Sequence, residues 1–258
     1  MERLEHHGRE TVYRHADRGA AGPTLLFVHG SGSDRRVWNH QLGMADDHPV
    51  VAVDLSGHGE SDDVTAEAGY ECLAAYTTDV VAVADATDAD VLVGNSLGGA
   101  VVLDALLDRD VDVDAAVLAD SGARLAVLDD LLRWLDGDFD RAVEFLHGTD
   151  RLFHDADAEL LERSRAAMYE TGQRVTARDF RTCHEFDIRG ELDRVDVPLL
   201  ALCGEHDRLT PPHYHEHLAE SVPDGELALI EDAAHLPMLE RPEAFEAALR
   251  DFLARRVQ

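Results

Sequence analysis

Gly94-Asn95-Ser96-Leu97-Gly98-Gly99 follows directly on the apolar run Val91-Leu92-Val93 and leads into Ala100-Val101-Val102-Leu103-Asp104-Ala105-Leu106-Leu107. No other segment constrains the fold as much. It reads as a buried strand that turns through a tight elbow into a helix, the setting in which a G-x-S-x-G serine becomes a nucleophile. Such a turn puts the serine in strained backbone angles, and side chains at Gly94 or Gly98 would strike the adjoining strand and helix. A glycine-rich strand-to-helix turn also suits a phosphate loop, but no Lys-Ser/Thr pair follows this one, so that reading fails.

Other short apolar runs surround the elbow. Thr24 to His29, Val50 to Leu55, Ala115 to Ala119, Leu199 to Cys203 and Glu226 to Ile230 fit parallel strands covered on both faces. Glu10 to His15 alternates enough for an edge strand. Helix-length segments lie between the runs, including Asp79 to Ala86 and Ala100 to Asp108, and this alternation implies a doubly wound α/β sheet. The alternation stops between about Ala123 and Gly190. Leu128, Leu131, Leu132 and Leu135 mark one helical face there, and Phe139, Val143 and Leu146 continue it. Leu160-Leu161, Ala166 to Met168 and a last stretch near Phe180 to Ile188 follow. The expected organisation is a core formed by residues 1–122 and 191–258, with a helical cap inserted at 123–190.

Charge narrows the function classes. The chain has 53 acidic residues against 23 basic ones, all arginine, for a net charge of −30. The acids are spread along the chain rather than massed in a tail, so they read as surface. Such self-repulsion opposes a compact state unless salt screens it. At about 1 M salt the Debye length is roughly 3 Å, and surface charges scarcely feel one another. The composition therefore fits a cytoplasmic protein of an extreme halophile. No basic stripe exists to meet phosphates, which excludes nucleic acid as a partner. Met1 to Arg9 is polar and charged, and no apolar run approaches the roughly 20 residues of a membrane span. The three cysteines, Cys72, Cys183 and Cys203, have no metal spacing and are expected to stay reduced.

A serine nucleophile needs a base, and the base needs an orienting carboxylate. In elbow architectures the chain order is Ser, then Asp or Glu, then His. Gly204-Glu205-His206-Asp207 follows the run ending at Cys203, and Asp232-Ala233-Ala234-His235 follows the run ending at Ile230. Ser96, Asp207 and His235 are thus the expected triad, with Asp120 at the end of the preceding strand as the competing acid. His29-Gly30-Ser31-Gly32 offers the Ser31 backbone N–H, and Leu97 supplies a second, for an oxyanion hole.

These pieces, together with Asp54-Leu55-Ser56-Gly57-His58-Gly59-Glu60-Ser61 and Gly204-Glu205-His206-Asp207-Arg208-Leu209-Thr210-Pro211, resemble the α/β-hydrolase superfamily in order and spacing. The resemblance covers nearly the whole chain outside the cap. It departs at Ser56, where relatives often carry arginine. It implies a mostly parallel eight-stranded sheet with a variable cap, and hydrolysis of a small carboxylic ester or lactone without cofactor or catalytic metal. The stretch from Arg178-Asp179-Phe180-Arg181 to Phe186-Asp187-Ile188 is similar to that of carboxylesterases and enol-lactone hydrolases. Carbon–carbon bond hydrolases, perhydrolases and low-turnover ligand receptors share the same constellation. Trp38 and His58, which recur in the family's pattern, are expected to brace loops near the site. His213, His215 and His217 suggest a zinc site but lack a full ligand set, and a solvated helix face is the expected role. Arg124 is placed either in the pocket or in a surface ion pair with Asp129 or Asp130. The pattern does not set the oligomeric state.

Overall fold

The computed structural model describes residues 1–109 and 111–257; Asp110, within one of the acidic runs, lies outside them. Eight strands form one sheet: β1 Glu2–His6, β2 Arg9–Ala16, β3 Leu25–Val28, β4 Val50–Val53, β5 Val91–Asn95, β6 Ala115–Ala119, β7 Leu199–Gly204 and β8 Gly225–Ile230. Their spatial order is β1-β2-β4-β3-β5-β6-β7-β8. β1 and β2 pair antiparallel, as do β2 and β4, and every other pair is parallel. Nine helices accompany the sheet among the described residues: α1 Tyr70–Thr87, α2 Leu97–Asp108, α3 Asp129–Gly137, α4 Phe139–Leu146, α5 Ala158–Thr171, α6 Gln173–Glu185, α7 Pro212–Ser221, α8 Pro237–Glu240 and α9 Pro242–Arg256.

Alternate residues of each central strand feed two cores. Leu26 and Val28 face α1, α2 and α7, while Leu25 and Phe27 face Trp38 and the Phe245, Leu249 and Phe252 side of α9. Each fully buried Leu, Val or Phe contributes about 1.5–3 kcal/mol, so the two cores rigidly fix the strand ends that carry the loops. Trp38 is buried against Phe27 and Phe245, the bracing role expected of it. No helix among the described residues is long and apolar enough to cross a membrane.

One strand has no counterpart in the sequence pattern, and two local expectations need correction. β1 has only Leu4 as an apolar residue and gave no strand pattern; it forms because His7 and Gly8, both left-handed (φ 47° and 78°), turn the chain tightly back into β2. β8 is not covered on both faces. It is an edge strand, and Leu227 and Leu229 are 41% and 49% exposed. The last helical stretch ends at Glu185, and Asp187 instead bridges Arg124 in extended backbone. Between β6 and β7 the chain runs through α3, α4, α5 and α6. Asp138 caps α4 by accepting the Arg141 N–H, and Asp157 caps α5 by accepting that of Leu160.

Candidate active site

Ser96 occupies the turn between β5 and α2 at φ 54°, ψ −115°, a conformation that costs on the order of 1–3 kcal/mol. Glycine permits it. A Cβ on Gly94 would collide with the Gly98 carbonyl, and one on Gly98 with the Val28 carbonyl. The elbow is also tied from outside. Ser96 N–H donates to Ala119 O at 3.0 Å, and the Ser121 hydroxyl donates to Ser96 O at 2.8 Å. The Asn95 side-chain amide donates to the carbonyls of Ala119 (3.1 Å) and His235 (3.2 Å), joining the elbow to the histidine loop.

His235 and Asp207 meet as the sequence order suggested. His235 Nδ1 donates to Asp207 Oδ2 at 2.9 Å, which fixes the tautomer and leaves Nε2 with a free lone pair. Asp207 further accepts the Thr210 hydroxyl at 2.7 Å and the backbone N–H groups of Leu209 (2.7 Å) and Thr210 (3.1 Å). Burial alone would raise its pKa. The His235 ring and these hydrogen bonds outweigh burial and bring it down to about 2.

Asp120, the competing acid, is fully buried at φ 47°. One oxygen accepts the Gly204 N–H at 2.8 Å and the other has no partner, and no hydrogen bond joins it to His235. Burial first, then the neighbouring Asp207 charge, push its pKa well above the ordinary carboxylate range. Its surroundings thus favour the protonated form, while those of Asp207 beside it favour the carboxylate.

Ser31, Ser96 and His235 line one cavity of about 620 Å³. Its floor is the ends of the strands, and its walls include Leu131, Phe145, Leu160, Met168 and Phe180 from α3 to α6. Leu97 is not among the lining residues: its side chain is in the core, and its amide opens α2, where the first N–H groups have no intrahelical acceptor.

The loop bearing Ser31 is held by a buried network that the polarity pattern of the sequence did not reveal. Asp179 on α6 accepts the Gly32 N–H (3.0 Å), the His58 Nε2–H (2.9 Å) and the Tyr76 hydroxyl (2.7 Å). Arg178 in turn donates to the Tyr76 hydroxyl at 3.0 Å and to Ser56 O at 3.3 Å. Burial opposes charge on both His58 and Asp179, but their mutual attraction wins: the imidazole pKa is raised and the carboxyl pKa lowered. His29 accepts the Leu55 N–H at Nε2 (3.1 Å) and donates from Nδ1 to Gly30 O (2.9 Å), so it is neutral; burial, with His58 beside it, lowers its pKa to about 4.

Two suggestions from the sequence fall outside the site. Arg124 is absent from the cavity wall and lies 3.8 Å from Asp187, not from Asp129 or Asp130. Within the 213–217 run, His215 is buried and accepts the Ser121 N–H at 2.8 Å, while His213 and His217 are exposed. The run therefore gathers no metal ligand set among the described residues.

Comparison with known proteins agrees with this geometry. A model described as "Alpha/beta hydrolase family" matches residues 25–248. A pimeloyl-[acyl-carrier protein] methyl ester esterase of Neisseria meningitidis serogroup C is 32% identical over 245 residues, covering 89% of this chain and 93% of that protein. Among solved structures, a thermophilic esterase is 29% identical with a TM-score of 0.86, covering 99% of this chain and 98% of its own. An N-acyl homoserine lactone degrading enzyme is 26% identical with a TM-score of 0.84, covering 97% of this chain and all of its own.

Proposed function

The chain belongs to the α/β-hydrolase family, and on that premise we propose that it is a serine hydrolase of small carboxylic esters or lactones, with Ser96, His235 and Asp207 as its triad. Ser96 Oγ attacks the substrate carbonyl carbon while His235 Nε2 takes its proton, and Asp207 holds the imidazole and steadies its developing charge. The amides of Ser31 and Leu97 receive the oxyanion. The tetrahedral intermediate collapses to an acyl-enzyme, and His235 returns the proton to the leaving alcohol. Water deprotonated by His235 then releases the acid. In a lactone the leaving oxygen stays tethered to the acyl group.

The observation that carries the reading is the 2.9 Å His235–Asp207 hydrogen bond opening on the same cavity as the strained Ser96. Ester or lactone cleavage is favoured over carbon–carbon hydrolysis by the esterase and the lactone-degrading enzyme to which the chain is similar. We take residues 123–190 as a cap whose apolar side chains receive the acyl part. Acyl esters, a lactone and a vinylogous diketone assayed together should show turnover of the first two. Ser96→Ala should lower it by at least about 10³-fold with the fold intact. Turnover retained in that variant sinks the assignment.

A further inference from the structure

Outside the triad, one set of metal-type donors converges from two distant stretches of chain. Asp150 and His154 lie in the connection from α4 to α5, and His206 lies in the turn after β7, next to Asp207. One carboxylate oxygen and one ring nitrogen from each histidine lie within 4.8 Å of one another, in a partly buried position. His154 Nδ1 is 2.6 Å from Asp150 Oδ1, and the two imidazoles stack with centroids 3.7 Å apart and planes 17° apart. The carriers are held by backbone: Asp150 N–H donates to Phe153 O (2.9 Å), Arg208 N–H to Asp150 O (3.2 Å) and His154 N–H to Glu240 Oε1 (2.9 Å).

We propose that Asp150, His154 and His206 form a binding site for a zinc-type divalent cation, with solvent as the fourth ligand. Two imidazole nitrogens and one carboxylate oxygen are a borderline donor set, suited to Zn²⁺ and unlike the all-oxygen shells of Ca²⁺ or Mg²⁺. Tetrahedral bonds of about 2.0–2.2 Å place neighbouring ligand atoms roughly 3.3 Å apart. The 2.6 Å Asp150–His154 contact therefore opens as the ion takes its place, the His154 ring turns out of its stack on His206 so that both nitrogens point at the ion, and the imidazole binds through Nδ1 as the neutral tautomer with its proton on Nε2, moved there by exchange with solvent. Arg208, 2.8 Å from Asp150 Oδ2, stays on the other carboxylate oxygen and orients it.

The site's place in the fold gives it a structural consequence. His206 adjoins Asp207, and the carbonyl of Arg151, next to Asp150, accepts the His235 N–H at 3.2 Å. A bound ion would staple the α4–α5 connection to the loop bearing the catalytic acid, without entering the reaction.

The test is calorimetric titration of zinc into the chelator-stripped full chain, with excess magnesium to occupy the acidic surface. One equivalent should bind with a Kd of about 10 µM or tighter, and zinc should raise the Tm. His154→Ala and His206→Ala should each weaken binding at least about tenfold, against the 10–100-fold typical of even outer-shell losses, while His213→Ala binds as wild type. Cobalt, which reports tetrahedral coordination by its visible absorption, should give that band only with both ligating histidines present. Absence of a stoichiometric site in the wild type overturns the proposal, as does wild-type affinity in the folded His154→Ala and His206→Ala variants. Because binding is read directly, this outcome is independent of the hydrolase reading.

Discussion

Beneath the cavity, β3, β4, β5, β6 and β7 bury every residue, and Gly94 and Gly98 leave no room for a side chain. Above it, α5 fully buries only Met168 of its 14 residues, and Leu128 at the head of α3 is exposed. The floor holds reacting groups by backbone hydrogen bonds that tolerate little change. The roof meets the cavity through interchangeable apolar side chains. On the proposed reading, chemistry and selectivity sit in regions of different rigidity, and substitutions should separate them.

The largest effect belongs to the floor. Asp207→Asn should lower kcat by about 10⁴-fold, the order reached when a triad histidine is left in the wrong tautomer. Asp120→Asn alters a side chain that bonds to the Gly204 N–H and not to His235, and should stay within about tenfold of wild type. A larger loss in Asp120→Asn than in Asp207→Asn would reverse their roles, and equal losses would contradict the assignment of Asp207. The join between floor and roof comes next. Asp179→Asn removes the buried carboxylate that accepts from Gly32, His58 and Tyr76, and urea unfolding should show a loss of about 3–5 kcal/mol. Unchanged stability would mean that this network does not hold the loop.

A pH effect of intermediate size follows from the histidines buried around the floor. Burial lowers the pKa of both His29 and His215 to about 4. Below pH 6.5 the unfolded chain takes up protons that the folded chain refuses, so stability falls as pH drops from 6.5 toward 4. Each histidine contributes up to about 1.4 kcal/mol per pH unit. His58, with its raised pKa, behaves oppositely: its contribution is fully present below the unfolded value and is lost as pH rises through its folded pKa. Asp120, whose pKa burial raises, works in the opposite direction over this window, so the histidine effect is read as a smaller fall in the urea midpoint from pH 7 to 5 in folded His215→Asn than in the wild type; an equal fall would contradict a buried neutral His215. The smallest effect is expected in the roof: Leu160→Trp or Phe180→Ala should change KM between short and long acyl esters by about 10-fold or less, with kcat on the preferred ester retained. A collapse of kcat on every ester would place these side chains in the chemistry.

The same contrast explains what the sequence disclosed. The elbow, the Asp207 turn and the His235 loop are marked by glycine, proline and acid at fixed places after apolar runs, because backbone geometry there admits few residue types. Asp179, Arg178 and Thr182 carry no such mark. They lie on a buried polar face of α6, where hydrophobic periodicity assigns polar residues to solvent. The exposure of Leu227 and Leu229 was equally hidden, since an apolar run does not say which strand ends the sheet. The 213–217 run stands out in the sequence and His206 does not, because spacing along one helix is visible there and the approach of distant loops is not.

Whether Ser96 is an activated nucleophile can be read by intact-mass labelling with a fluorophosphonate in molar KCl. One adduct should form on the wild type and none on folded Ser96→Ala or His235→Ala. No adduct on folded wild type, or an adduct that survives in Ser96→Ala, would contradict it.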